Sequence, residues 1–363
     1  MRRYVEGNEI NIPPKEWERL KERYSQEQLV KGINDLITHF AIAFPLKSPT
    51  WEDAMADFER LKLVKAPSLF CVAEAPVTSR YDYARSLGNR YLDMSNAGNK
   101  FSNFYHFDAR MNCDSVNSPS PMRVWAVPKF REGVLRSLFS LKADGVNSKT
   151  LGQSLALRKY VASQFRPSAA LALYNRWARD GDVLDMCSGW GDRLAGFLAS
   201  KAGTYTGFDP NLRLHDGYRK QIAEVGRNGD AVIHWLPFEK SNLVDNSYDL
   251  AFTSPPYFNI ERYSKDDGQS FNYKTLDLWL SKFLFPLVEK TFDSLKPNGR
   301  MIVNISDVYS GHQINHICDA MNDRIESVGA SEGKHFVYRM AKRVGSKASG
   351  SVFGEPCWVW TKR

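Results

Sequence analysis

Five short apolar runs recur between Val183 and Ile305, and helical stretches separate them. They are Val183–Met186, Tyr205–Asp209, Val232–Trp235, Tyr248–Phe252 and Met301–Ile305. Strands joined through helices pair in parallel, and a parallel sheet must be covered on both faces. The pattern therefore predicts an α/β chain with a doubly wound, mostly parallel sheet from about Arg131 onward. Thr275 to Leu295 reads as one long helix, closed by Lys296-Pro297-Asn298-Gly299 with the glycine in the left-handed position.

The sheet accounts for little of the chain before residue 131. The first 65 residues read as helical: Pro13 and Pro14 open an amphipathic stretch, Ser25-x-x-Gln28 has the form of a capping box, and Thr50-x-x-Asp53 starts another helix. From Ala66 to Lys129 periodicity fails, and segments such as Asn99–Phe107 and Asn117–Pro121 read as binding loops. With 363 residues the chain can bury two cores. The expected division is a helical and loop-rich lobe over 1–130 and an α/β domain over 131–363. A charged fraction of 25% beside 43% hydrophobic residues excludes a disordered or fibrous chain. There is no apolar run of membrane-spanning length, and the first residues lack the apolar stretch of a secretory signal, so no membrane partner and a cytoplasmic location are expected. Five scattered cysteines without a C-x-x-C pair predict free thiols and no metal.

In a doubly wound sheet ligands bind beyond the carboxyl ends of the strands, so the residues just after each strand hold the chemistry. The first strand leads into Asp185-Met186-Cys187-Ser188-Gly189-Trp190-Gly191. Gly189 and Gly191 let backbone approach a ligand closely, but Leu194 replaces the third glycine of a dinucleotide fingerprint. Asp185 at the strand tip would repel a phosphate and attract a cation or a hydroxyl. Asp209 ends the second strand, at a spacing from Gly189 that suits ribose hydroxyls. A nucleoside with a positively charged amino-acid part satisfies both acids, and S-adenosylmethionine is such a molecule.

After the fourth strand comes Ser254-Pro255-Pro256-Tyr257-Phe258. The two prolines end the ladder and fix the backbone, presenting the Ser254 and Pro255 carbonyls and the Ser254 hydroxyl in a preset geometry. Rigid acceptors without a strong base suit an exocyclic amine, whose lone pair is delocalised into its ring. Accepting both amine protons favours the pyramidal nitrogen and frees that lone pair. Tyr257 is placed to stack on a base flipped out of its helix.

With these two motifs the sequence resembles the amino-methyltransferases, which methylate cytosine-N4 or adenine-N6 in nucleic acid with S-adenosylmethionine. The resemblance spans roughly residues 150 to 363 and implies a Rossmann-like methyltransferase fold, its terminal antiparallel hairpin formed by Phe336–Met340 and Pro356–Thr361. It implies cofactor contacts from Phe165, Arg166 and Pro167, from Asp185, Cys187, Gly189 and Gly191, from Asp209 and Pro210, and from Glu239. It implies catalysis by Ser254, Pro255, Pro256 and Tyr257, with Phe258, Arg339, Lys342 and Arg343 on the substrate side. The cofactor loop precedes the catalytic motif with only about 60 residues between them, which leaves the N-terminal lobe to choose the target. The function implied is methyl transfer to a base of DNA, cytosine-N4 ahead of adenine-N6, as in restriction-modification systems. Methylation of RNA or a nucleotide, or a non-catalytic nucleic-acid-binding protein of this fold, are the alternatives.

The net charge of +8 is a diffuse bias towards polyanions. It gathers in two places: Arg110, Arg123, Lys129, Arg131, Arg136, Lys142 and Lys149, and the late run Arg339, Lys342, Arg343 and Lys347. Both are candidate phosphate contacts, with solvated surface as the alternative. Phe101, Phe104, Tyr105 and Phe107 offer stacking surfaces for unpaired bases. His312 and His316 have metal-binding spacing on an expected helix, but Gln313 stands where a zinc protease needs glutamate. Pro356-Cys357 resembles the nucleophile of ring-carbon methyltransferases, yet its place inside a closing strand predicts a buried, inert thiol.

Overall fold

A computed structural model describes residues 2–93, 95–266, 268–340 and 352–363. The chain forms two compact units, one of residues 1–48, 107–163 and 261–263, the other of 49–106, 164–260 and 264–363. This division does not coincide with a boundary at 130/131, because the chain passes between the units several times.

The second unit contains a ten-stranded sheet. In chain order its strands are β1 (Phe70–Val72), β2 (Arg90–Leu92), β3 (Asp182–Asp185), β4 (Thr204–Phe208), β5 (Ala231–His234), β6 (Tyr248–Thr253), β7 (Leu295–Asn304), β8 (Ser331–Glu332), β9 (Phe336–Arg339) and β10 (Gly354–Thr361). Their order across the sheet is β1-β2-β9-β10-β7-β6-β3-β4-β5, with β8 alongside β10. Strands β7, β6, β3, β4 and β5 are mutually parallel, whereas β10 runs antiparallel to β7 and to β9. This is the Rossmann-like, doubly wound arrangement with a terminal antiparallel hairpin. The chain leaves β3 in one direction through β4 and β5, then returns to its other side as β6, so the ligand crevice belongs at the tips of β3 and β6.

The central strands are buried on both faces, as a parallel sheet with covering helices requires. Leu184, Ala251, Met301 and Val303 pack with Trp279, Leu287, Met321, Trp358 and Trp360 in one apolar cluster.

Four expectations are corrected here. The segment 66–129 is largely ordered: Phe70–Val72 and Arg90–Leu92 extend the sheet beyond β9, and Asn99–Met111 is a helix. Its aromatic residues recur at helical spacing, so Phe101 is fully buried against Phe58 with ring centroids 4.4 Å apart, and Phe107 is buried too. The helix after Thr275 is interrupted by a π-turn over Leu280–Leu284. Pro286 explains it, since a proline lacks an N–H and crowds the preceding turn. The closure is strand instead of cap: β7 begins at Leu295, its register against β6 shifts before Arg300, and Asn298 takes the left-handed conformation at φ 66°. Gly299 is needed for close approach, since a Cβ there would lie 2.7 Å from the Lys296 carbonyl oxygen. His312 sits in the turn of a hairpin at φ 64° and His316 caps the helix Ile317–Ser327, so the two share no helix face.

The first unit is helical, with Trp17, Leu29, Ile33, Ile37, Leu135, Leu138 and Leu151 in its core. Ser25 and Gln28 make the expected capping box. Arg131, counted among the phosphate-binding candidates, is buried: it donates to Asn34 Oδ1 at 2.9 Å and to the Trp125 carbonyl at 2.7 Å. Arg136 pairs with Glu27 at 3.0 Å on the surface. Arg123, Lys129, Lys142 and Lys149 remain exposed.

Candidate functional site

Strands β3 and β6 end side by side, and their last residues are bonded: Thr253 Oγ1 donates to Asp185 Oδ1 at 3.1 Å. The Gly-bearing turn and Ser254-Pro255-Pro256-Tyr257 therefore start from one edge of the sheet. Asp185 is fully buried and does not present a bare carboxylate. Its Oδ2 accepts from Arg193 Nε at 2.8 Å and from the Tyr205 hydroxyl at 2.6 Å, and its Oδ1 also takes the Cys187 N–H at 3.2 Å. Burial pulls the Arg193 guanidinium down, but Asp185 together with Tyr205 and Tyr174 holds it above its ordinary value. The expectation that Asp185 attracts a cationic ligand is thus corrected, because Arg193, buried in the first turn of the helix Asp192–Leu198, already supplies the counter-charge.

The turn itself is pinned from behind. Gly189 and Gly191 adopt φ of 59° and 69°, a region that favours glycine. Tyr218 donates to the Gly189 carbonyl, and Gln221 Nε2 to the Gly191 carbonyl at 3.2 Å. Gln221 in turn meets buried His106 at 3.0 Å, and a Cβ on Gly191 would lie 2.6 Å from the His106 ring. Sequence reasoning missed His106, Tyr218 and Gln221, which reach the turn from two helices, Asn99–Met111 and Leu212–Glu224. The one local signal was glycine at 191 and 217, both needed to admit the His106 ring. On the front of the turn, the nearest heavy atom to a Cβ built on Gly189 is 3.8 Å away.

Asp209, at the tip of β4, accepts the Gly189 N–H at 2.9 Å and the Asn211 N–H at 2.8 Å, one on each oxygen. Burial pushes its carboxyl up to about 6, against those two backbone donors. Pro210 follows it and accepts from the Trp235 indole at 3.0 Å. Glu239 is half-buried, takes the Tyr273 hydroxyl at 3.3 Å, and is raised by burial. Cys187 is half-buried with its thiol raised well above its ordinary value by burial, which leaves no thiolate nucleophile. Cys357 is buried and raised for the same reason, as its strand position implies.

Phe165 packs beside residues of β6 and β9. Its ring lies 5.4 Å from Phe252 on β6, 5.2 Å from Tyr338 on β9, and 5.7 Å from the Arg193 guanidinium. Arg166 binds Asn96, and Pro167 is buried as it opens the helix Pro167–Trp177. In Ser254-Pro255-Pro256-Tyr257, Ser254 is half-buried and Pro255 buried. The Tyr257 hydroxyl donates to Glu355 of β10. Phe258, expected on the substrate side, is a core residue packed against Trp279 with ring centroids 5.9 Å apart. Arg339 pairs with Asp93 at 2.8 Å, so its charge is compensated. Lys342, Arg343 and Lys347 lie outside the described residues. Among the described residues no cluster of His, Cys, Asp or Glu could hold a metal ion, and no helix is long and apolar enough to cross a membrane.

No family model matches the sequence, and no curated protein matches it. Solved structures similar to the chain include a tRNA (m1A58) methyltransferase from Aquifex aeolicus, at 14% identity and TM-score 0.36 over 56% of this chain and 71% of that one. A methyltransferase from Pyrococcus furiosus is similar at 18% identity and TM-score 0.34, over 53% of this chain and 79% of the other. A putative sarcosine dimethylglycine methyltransferase from Galdieria sulphuraria gives 13% and 0.38, over 54% and 83%. Likenesses this faint leave the fold resting on the chain's own topology.

Proposed function

We propose that the chain transfers a methyl group from S-adenosylmethionine to the exocyclic amine of a base in DNA, cytosine-N4 ahead of adenine-N6. The observation that carries this reading is the Thr253–Asp185 bond, which sets the glycine turn and Ser254-Pro255-Pro256-Tyr257 at one sheet edge. The residues present fit the cofactor. A carboxylate has about four acceptor positions; Asp209 uses two on backbone N–H groups and the Tyr218 hydroxyl acts on a third, leaving one for a ribose hydroxyl. The open front of Gly189 admits the nucleoside beside them. Glu239 would contact the adenine, Phe165 to Pro167 would flank the methionine end, and Asp185 would serve as scaffold. When bound, the cofactor supplies an electrophilic methyl group on a sulfonium sulfur. The protein's task is to hold the amine: the Ser254 and Pro255 carbonyls and the Ser254 hydroxyl oxygen accept hydrogen bonds from its N–H groups, one of whose protons passes to solvent once the nitrogen carries the methyl group, and Tyr257 stacks on the base. Target choice falls to the N-terminal region, where Arg123, Lys129, Lys142 and Lys149 are exposed for phosphate contact.

Incubation with labelled S-adenosylmethionine and duplex DNA, single-stranded DNA or RNA, followed by nucleoside mass spectrometry, tests this directly. Methyl on cytosine-N4 or adenine-N6 of DNA is the expected product. Label only in RNA or on a ring atom would replace the reading, and cofactor binding without turnover on any acceptor would favour a non-catalytic role.

Asp209 predicts a pH dependence. Its carboxyl is raised to about 6 in the folded chain, so the folded state holds the proton more tightly than the unfolded one, and this group's contribution to stability falls as pH rises from about 4 through 6. Ribose hydroxyls need the ionised form as acceptor, so cofactor affinity should move the other way. Calorimetry should find binding about tenfold weaker at pH 5 than at pH 7, and Asp209→Asn should bind weakly with a flat profile. A wild-type affinity independent of pH would count against the assignment.

A further inference from the structure

Tyr338 carries a buried hydroxyl that no described residue uses. The residue is 5% exposed, and its Oη has no hydrogen-bond partner among the described residues. Buried polar groups are almost always paired, and of the unpaired tyrosine hydroxyls, those of Tyr105, Tyr174 and Tyr338, the one on Tyr338 belongs to a residue near the carboxyl end of a sheet strand. Its place in the sheet says which ligand suits it. Tyr338 is the penultimate residue of β9 and sits opposite Glu355 on β10, so the two side chains share a face. Asn304, the last residue of β7, pairs with Cys357, so Glu355 lies beyond the end of β7, at the edge from which the ligand crevice opens. Glu355 receives the Tyr257 hydroxyl, and the Tyr338 ring stacks on Phe165 at 26° between planes. Phe165 in turn meets Phe252, two residues before Ser254.

Building on the proposed function, we infer that Tyr338 is a substrate-binding residue whose hydroxyl donates to the ring nitrogen beside the target amine, with Glu355 holding Tyr257 as a positioning residue. Cytosine N3 and adenine N1 are acceptors at this place, whereas guanine carries an N–H there and would leave the hydroxyl opposed. Burial raises Tyr338 above its ordinary value, so it remains a proton donor at neutral pH. Arg166, Asp192 and Glu355 are the charges that act on it, and their mixed sign suits a neutral base better than an anion.

The test is Tyr338→Phe, which keeps the ring on Phe165 and removes only the oxygen. The probe is duplex DNA of randomised sequence carrying either deoxycytidine or 3-deazadeoxycytidine, or 1-deazadeoxyadenosine where adenine is the base methylated. Binding is read by anisotropy, turnover by label transfer and cofactor affinity by calorimetry. Tyr338→Phe should lose about tenfold in kcat/KM on the normal DNA with cofactor affinity unchanged, and the deaza substitution should cost the wild type similarly but the variant nothing further. Losses that simply add would overturn the contact, as would no loss at all. A weakened cofactor affinity with unchanged DNA binding would assign the hydroxyl to the cofactor's carboxylate instead. If the wild type methylates no nucleic acid, the proposed function fails, and anisotropy alone then decides Tyr338: equal binding of the two DNAs by wild type and variant overturns it.

Discussion

Asp185→Ala is expected to destabilise the second unit by about 3–5 kcal/mol, the loss found when one partner of a buried ion pair is removed. The side chains of Asp185 and Arg193 are 0% and 5% exposed, with Nε and Oδ2 2.8 Å apart. Alanine at 185 leaves the guanidinium in an apolar setting with no counter-charge, and it also strips the Tyr205 and Thr253 hydroxyls of their acceptor. In thermal unfolding this should appear as a fall of roughly 6–20 °C for a unit of this size. The pair itself contributes little net stability, because desolvation offsets most of the attraction. Adding Arg193→Leu to Asp185→Ala should therefore recover much of the loss, leaving chiefly the two stranded hydroxyls. Urea denaturation of the wild type, both single variants and the double variant measures the coupling. A single variant within about 1 kcal/mol of wild type would show that the cofactor turn does not depend on this pair.

The order of the sheet was legible because strands buried on both faces must be apolar throughout, and a parallel pair must be joined through a helix. Val183–Met186 and Tyr248–Phe252 announce themselves in that way, and the residues at their ends followed. The partners of those residues were not legible. Arg193 reads as an ordinary helix residue, and only the fold turns it towards Asp185. His106 sits 85 positions before Gly191 in a segment whose aromatics suggested a loop, and its contact exists only once two helices have packed. The same ambiguity misassigned Phe258: an aromatic after Tyr257 suits either a base or a core, and proximity to Trp279 decides it. Asn298 and Gly299 show a finer limit. Both suit a helix end, and the bulge that separates their roles comes from pairing with β6.

Ser254→Ala is expected to lower kcat by about 10²–10³, the range for removing one preorganised polar group from a reacting centre, while cofactor affinity stays at the wild-type value. The separation follows from where the groups are anchored. Ser254 extends from β6, half-buried and beside two prolines that fix its backbone, and alanine keeps both carbonyls in place. Asp209 and the glycine turn hang on β3, β4 and the helix Leu212–Glu224, which the substitution leaves intact. What is lost is one acceptor for an amine proton, and that acceptor matters most as the nitrogen becomes pyramidal and its proton acidic. The loss should therefore fall on kcat and on kcat/KM alike, with little change in KM. Single-turnover label transfer at saturating cofactor, beside calorimetry of the same preparation, separates the two quantities. Full turnover by Ser254→Ala would refute amine activation by this motif, and a joint loss of cofactor affinity would mean that Ser254 supports the cofactor turn through Thr253 and Asp185 instead of meeting the substrate.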